Sequence, residues 1–385
     1  MISGLVNKLG CRLVVLSGIA CALMCGACSP LSRTPQWFVP QTFAAPGGAP
    51  SLTVMGDLTE VLPNYRKSST LEDFLYGPAD TPPPILRNAQ GMVRVGDHLL
   101  VCDQGRPDIV AIDLLTGRVR SWIDDPSRRP RCPVDITADE SGNVYVSDTT
   151  LKVVLAYTTD GRYLNQIAPG NEFRPGGVLA HNGTLYVGDL AGHSVRRWNL
   201  DESRWATPIG QVGQNPKMIA PTGIAVTQDD TLIVADAVAG TVFRFAQDGS
   251  SMAPLGRRGR GAGEFVRPKQ ACVTRSGLIC ITDAARQSIL VFDRSGAFLV
   301  ELHERAKDWG GLTLPMGIST LGDGGLFDLN RNPNFSKHAD ANDWLVVSDS
   351  LGAPPLVLIG VDDMVGGAVA PGPEDTETRD AVGDE

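Results

Sequence analysis

The sequence is poor in the patterns that build metal centres and nucleophilic active sites. Its five histidines, His98, His181, His193, His303 and His338, are widely scattered. Cys102, Cys132, Cys272 and Cys280 form no C-x-x-C pair among themselves, which argues against a zinc site made from them. There is no G-x-S-x-G elbow and no Ser–His pairing, so serine acyl transfer of the hydrolase type is not indicated. After residue 28 no apolar run is long enough for a membrane-spanning helix. No repeated unit carries a helical period, which excludes a stack of helices. Basic charge is also lacking. The formal charge is −9, and Asp362 to Glu385 holds eight acidic residues against one basic. Most of the excess therefore sits in that tail, and the nearly neutral body makes nucleic acid a poor partner.

Glycine (43 residues) and proline (27) are plentiful, as many short strands joined by tight turns require. The first 28 residues read as a targeting segment. Lys8 and Arg12 precede an apolar run from Leu13 to Met24, which has the length of a signal h-region. The following Cys25-Gly-Ala-Cys28 resembles the lipobox of bacterial lipoproteins, with Cys28 as the lipidated residue and Cys25 where that pattern usually has Leu. Cys21 and Cys25 are alternative acceptors, and an ordinary secretory signal is the other reading. Residues 29–50 are rich in Pro, Ala and Gly and are expected to be a flexible tether. Residues 362–385 are expected to be a disordered acidic tail. Localisation is accordingly expected to be exported, with a lipid anchor in the cell envelope.

Between these flanks the sequence repeats. One unit runs Ala220-Pro-Thr-Gly-Ile-Ala-Val, a polar turn, Thr231-Leu-Ile-Val-Ala-Asp236, a short loop and Thr241-Val-Phe-Arg-Phe-Ala. Alternating apolar residues between turns give three strands, and the looser stretch that follows supplies a fourth. The unit recurs at Pro133…Asp148, Pro175…Asp189, Pro268…Asp283 and Pro315…Asp349, with a first copy at Ala89…Asp103. Successive closing aspartates lie 45, 41, 47, 47 and 66 residues apart. Six copies at this period predict an all-β chain, a six-bladed β-propeller of four-stranded blades over residues 51–361. The last interval is long because residues 321–342, polar and rich in Asn, Asp and Pro, are inserted between the first two strands of the sixth blade.

The segment Leu255-Gly-Arg-Arg-Gly-Arg-Gly-Ala-Gly-Glu-Phe-Val-Arg-Pro268, with the Val-Ala-Asp and Phe-Arg-Phe strands before it, resembles the NHL repeat. The chain also resembles envelope-anchored NHL-like propellers of bacteria, which begin with a strand before the first blade. Ser51 to Gly56 is the matching segment, expected to pair with the last blade near Pro355 to Val361 and to close the ring.

Asp103, Asp148, Asp189, Asp236, Asp283 and Asp349 each end a second strand, where a carboxylate can accept backbone N–H groups of the turn. Their expected role is structural rather than metal binding. Ligand-binding candidates come from the starts of the inner strands, which line a propeller's channel mouth: Arg131, Asp135, Arg174, Arg267, Lys269 and Gln270. Several cations there would favour an anionic ligand or partner, or else simply solvate the rim. Cys102 and Cys132 are the preferred disulfide pair, with four free thiols as the alternative. Cys272 and Cys280 flank one turn and are placed to face each other.

The function expected is a non-catalytic binding scaffold, a monomer that engages a protein or glycan partner at the envelope, with no catalytic residue, metal or cofactor. The alternative is a metal-dependent propeller enzyme, a lyase or lactonase with its site in the channel. Resemblance to amidating lyases implies histidines gathered on zinc, but His98 and His181 fall in turns on one face and His193 in a loop on the other. Resemblance to gluconolactonases implies a Glu with Asn and Asp around a central cation, and Asp135 is the one clear acid on the inner strands.

Overall fold

The structure, a computed structural model, describes residues 41–45, 51–58, 86–210, 217–303, 311–322, 343–352 and 355–362. The chain is a six-bladed β-propeller. Blade one consists of β3 (Ala89–Val95), β4 (His98–Asp103), β5 (Asp108–Asp113) and β6 (Val119–Ser121). Blade two holds β7 (Pro133–Ala138), β8 (Val144–Asp148), β9 (Val153–Tyr157) and β10 (Tyr163–Ile167). Blade three holds β11 (Pro175–His181), β12 (Thr184–Asp189), β13 (Ser194–Asn199) and β14 (Arg204–Ile209). Blade four runs β15 (Pro221–Val226), β16 (Leu232–Asp236), β17 (Thr241–Phe245) and β18 (Ser251–Gly256). Blade five runs β19 (Pro268–Val273), β20 (Ile279–Asp283), β21 (Ser288–Phe292) and β22 (Phe298–Leu302). Each is an antiparallel meander with its first strand innermost. The inner strands pack in sequence around the ring, and β23 (Pro315–Gly322) of the sixth blade returns to β3.

The sixth blade is closed by the other end of the chain. Beyond β23 come β24 (Asp343–Asp349) and β25 (Leu356–Asp362), and then β2 (Ser51–Asp57) and β1 (Gln41–Ala44). β2 pairs antiparallel with β25, placing Leu52 opposite Val361 and Val54 opposite Ile359. This is the pairing expected from the sequence. Leu52 and Val54 are fully buried, so the closing strand contributes core as well as hydrogen bonds. β1 lies within the stretch whose composition reads as a tether; it pairs with β2, and the Thr42 and Thr53 hydroxyls meet at 2.9 Å. Cys28 lies outside the described residues, as do the expected insertion 321–342 and tail 362–385 apart from their first residues: 321 and 322 end β23, and 362 ends β25.

The core is a set of apolar layers between adjacent blades, because each blade buries both faces against its neighbours. Ile233, Ala235, Val242 and Phe265, for example, pack against Ile279, Ile281, Leu290 and Phe292. The second strands are accordingly almost wholly buried, as is the third strand β21, whereas the outermost strands, such as β18, are mostly exposed.

The recurring aspartates are the joints of the ring. The Asp236 carboxylate accepts Ile219 N (2.6 Å) and Ala220 N (3.0 Å) ahead of the inner strand, and Val238 N (3.1 Å) and Ala239 N (2.8 Å) in its own turn. Asp283 does the same with Val266 N, Arg267 N, Ala285 N and Arg286 N, at 2.7–3.0 Å. Asp103, Asp148, Asp189 and Asp349 each accept backbone N–H groups from corresponding positions. All six are buried. A buried carboxylate needs such donors, and the loops need an acceptor, so one residue satisfies both.

Candidate functional site

Every inner strand opens with a register shift just after its first residue, which is proline in all but the first blade. Proline suits the first strand position, and a bulge there re-aims the next side chains, here toward the ring axis. The third position then reads Gly91, Asp135, Gly177, Gly223, Gln270 and Gly317 around the six blades. Four glycines leave the axis narrow. A Cβ on Gly91 would stand 2.2 Å from Asp135 Oδ1, and one on Gly223 would stand 2.3 Å from Gln270 Oε1.

The two side chains in this layer belong to blades two and five, which face each other across the ring, and they meet. Gln270 Nε2 donates to Asp135 Oδ2 at 2.7 Å. The same carboxylate oxygen accepts Val178 N at 2.9 Å, and Gln270 Oε1 accepts Ile224 N and Ala271 N, both at 3.1 Å. This pair closes the waist of the channel. Burial pushes the Asp135 carboxyl up to about 7, although the bonds from Val178, Gln270 and Ile136 pull the other way.

Above the waist lies a cavity of about 270 Å3, lined on its polar side by Gln90, Gln104, Asp135, Arg174, Lys269 and Gln270. Four of the six residues expected at the mouth are therefore together: Asp135, Arg174, Lys269 and Gln270. Arg131 and Arg267 are exposed, and neither lines the cavity. Their backbone N–H groups are bound by Asp148 and Asp283 instead. Burial lowers the pKa of Lys269, and neighbouring Arg267 adds to the effect. Among the described residues no carboxylate forms an ion pair with Lys269. The cavity is thus a cup floored by the Asp135–Gln270 pair, with an ammonium in its wall that has no ion-pair partner among the described residues and a guanidinium at its rim.

Gln90 and Gln104 did not emerge from the sequence. Gln90 Nε2 donates to Asn88 Oδ1 (2.7 Å) and Ser350 Oγ (2.9 Å), and Gln104 Nε2 donates to Pro133 O (3.0 Å). The signal for Gln90 was available, since it stands one position before the Gly, Asp, Gly, Gly, Gln, Gly layer when the repeats are aligned.

The expected link between Cys102 and Cys132 is not formed, and both are free thiols. Cys102 is turned into the apolar layer between blades one and two. Burial pushes its pKa well up, and the carboxylates of Asp135, Asp148 and Asp103 add to this, so it is held as the neutral thiol. Cys272 and Cys280 do face each other across β19 and β20, also as free thiols. Among the described residues no group of three or more His, Cys, Asp or Glu side chains could hold a metal ion. His193, between β12 and β13, is bound through Nδ1 to Ile219 O at 2.6 Å, whereas His181 ends β11 on the other face.

A family described as a 6-bladed beta-propeller (DUF5128) matches residues 220–306, the region of blades four and five. No curated protein sequence matches the chain. Among solved structures, a gluconolactonase from Xanthomonas campestris is similar at 15% identity and a TM-score of 0.55, covering 84% of this chain and 97% of that one. A streptogramin B lyase is similar at 12% identity and TM-score 0.51, covering 86% and 95%. A structural-genomics protein of unknown function from Bacteroides thetaiotaomicron gives 14% identity and TM-score 0.53, covering 72% and 70%. At these identities the likeness is one of fold, and function must be argued from the site.

Proposed function

We propose that this chain is an extracytoplasmic binding propeller of the NHL type, lipid-anchored through Cys28, whose channel mouth receives an anionic group of a protein or glycan partner at the cell envelope. The observation that carries this reading is Lys269. Burying an ammonium without a counter-ion is costly, and a carboxylate entering the cup would remove that cost while gaining charge-assisted bonds to Lys269 and Arg174. The closed waist favours capture over passage, because a group that enters the cup must leave by the same opening. Gln90 and Gln104 offer amide oxygens to hydroxyl or amide groups of the same partner.

Titration calorimetry on the exported chain with two probes, trigalacturonate and hexaglutamate, tests the reading. Binding of at least one is expected, with a loss of tenfold or more in Lys269→Met. Equal affinity of both proteins, or no heat with either probe, would refute it.

A second reading, a propeller lactonase or lyase, is favoured by one feature: Asp135 lines the cup and titrates near neutrality, as an acid–base group should. Against it, Oδ2 of Asp135 is occupied by Val178 N and Gln270, and Oδ1 abuts Gly91. Turnover of a lactone that is abolished in Asp135→Asn would select this reading over the first.

A further inference from the structure

At the other ends of the inner strands, away from the channel mouth, blades three and four leave a second cavity between them, of about 240 Å3. β12 and β13 set Thr184 opposite Asn199 and Tyr186 opposite Arg197. Strand alternation puts these four side chains on one face of the blade, and all four line the cavity. Val226 and Leu232 of blade four, with Ile209 of β14, provide an apolar wall. The far rim is a fixed polar pair, His181 Nε2 and Asp230 Oδ1 at 2.8 Å, with the Asn182 amide beside them.

The wall of this cavity carries bonding capacity that the protein does not use. Arg197 donates through Nε to Thr207 O at 2.8 Å, and among the described residues its two terminal nitrogens have no hydrogen-bond partner. No carboxylate among the described residues forms an ion pair with it. Burial raises the pKa of the Tyr186 hydroxyl, Arg197 acts to lower it and Asp230 to raise it, so both charges are felt in this cavity. A guanidinium end with two parallel donors matches a planar carboxylate, whereas Asp230 nearby disfavours a dianion such as phosphate. The volume admits about ten non-hydrogen atoms at roughly 20–30 Å3 each, and the apolar wall calls for a hydrocarbon body.

We propose that this inter-blade pocket binds a small carboxylic acid with an apolar ring, its carboxylate on the terminal nitrogens of Arg197 and its ring against Val226, Leu232 and Ile209. The site is independent of the channel mouth. It lies between two blades, its anchor is Arg197 rather than Lys269, and its ligand is a single compact molecule rather than a group of a larger partner.

The test is a titration of the exported chain with benzoate, followed by saturation-transfer NMR, with benzamide as the uncharged match in shape. Benzoate is expected to bind with a Kd on the order of 1 mM or tighter, and benzamide at least tenfold more weakly. Arg197→Met should cost tenfold or more. Tyr186→Phe, which removes one hydroxyl and keeps the ring, should weaken binding a few-fold and covers the case in which the arginine variant fails to fold. Equal binding of benzamide, no binding at 10 mM, or full affinity in Arg197→Met would overturn the proposal. So would loss of benzoate binding in Lys269→Met with Arg197→Met unaffected, since the anion would then have gone to the channel mouth.

Discussion

Gln270 donates a 2.7 Å hydrogen bond to Asp135, from the fifth blade to the second. Two inner strands that face each other across the ring are thereby tied together at the narrowest point of the channel.

This tie makes stability depend on pH in a defined direction. The ordinary value for Asp135 is 3.8, and burial raises it to about 7 in the folded protein. Between those values the folded state binds more protons than the unfolded state, so stability falls as pH rises from about 4 to about 7 and is level on either side. Asp135→Asn keeps the acceptor for Val178 N and Gln270 without the charge. It should raise Tm by a few degrees at pH 8 and flatten the Tm profile between pH 5 and 7, measured by differential scanning calorimetry.

The joint aspartates should be far more sensitive than their surface counterparts. Asp236→Ala leaves four backbone N–H groups without their acceptor, some of them buried, and should cost about 3–5 kcal/mol. Asp248, exposed in a turn and bonded to Ser250 N at 2.8 Å, should shift the unfolding midpoint far less when replaced by alanine, because water replaces the lost acceptor. Urea unfolding of the two variants side by side checks the contrast. Similar midpoints would mean that the blade joints do not depend on these carboxylates.

Removing residues 1–58 takes β1 and β2 from the sixth blade and opens β25 as a free edge. The loss of Leu52 and Val54 alone is worth about 3–6 kcal/mol of apolar burial, and an unpaired edge invites association. Sedimentation velocity should show the truncated chain as concentration-dependent oligomers. The chain from residue 29 onward should stay monomeric. A truncated chain that is both monomeric and equally stable would contradict the closure.

The repeat, the number of blades and the role of the aspartates were legible because they rest on local chemistry. A turn carboxylate and a strand of alternating residues look the same wherever they occur in the chain. The closing strand was legible through family resemblance, and its partner β25 was the one edge left to pair. The Asp135–Gln270 tie was not legible: both residues stood among the candidates, but only the ring's curvature brings positions 135 residues apart into contact. Arg131 and Arg267 lie outside the cavity because their backbones, not their side chains, are what the blade geometry holds in place. The Arg197 pocket was invisible for a related reason, since its two walls belong to different repeats and neither has a distinctive motif.

The channel mouth is most directly tested by the reactivity of Lys269. An amine with a lowered pKa and no ion-pair partner among the described residues should be acylated by a dilute activated ester at pH 8 faster than the exposed Lys217, read out by peptide mass spectrometry. Trigalacturonate or hexaglutamate should then protect Lys269 at least tenfold and leave Lys217 unchanged. If Lys269 reacts no faster than Lys217, and neither anion slows it, the cup is not the binding site.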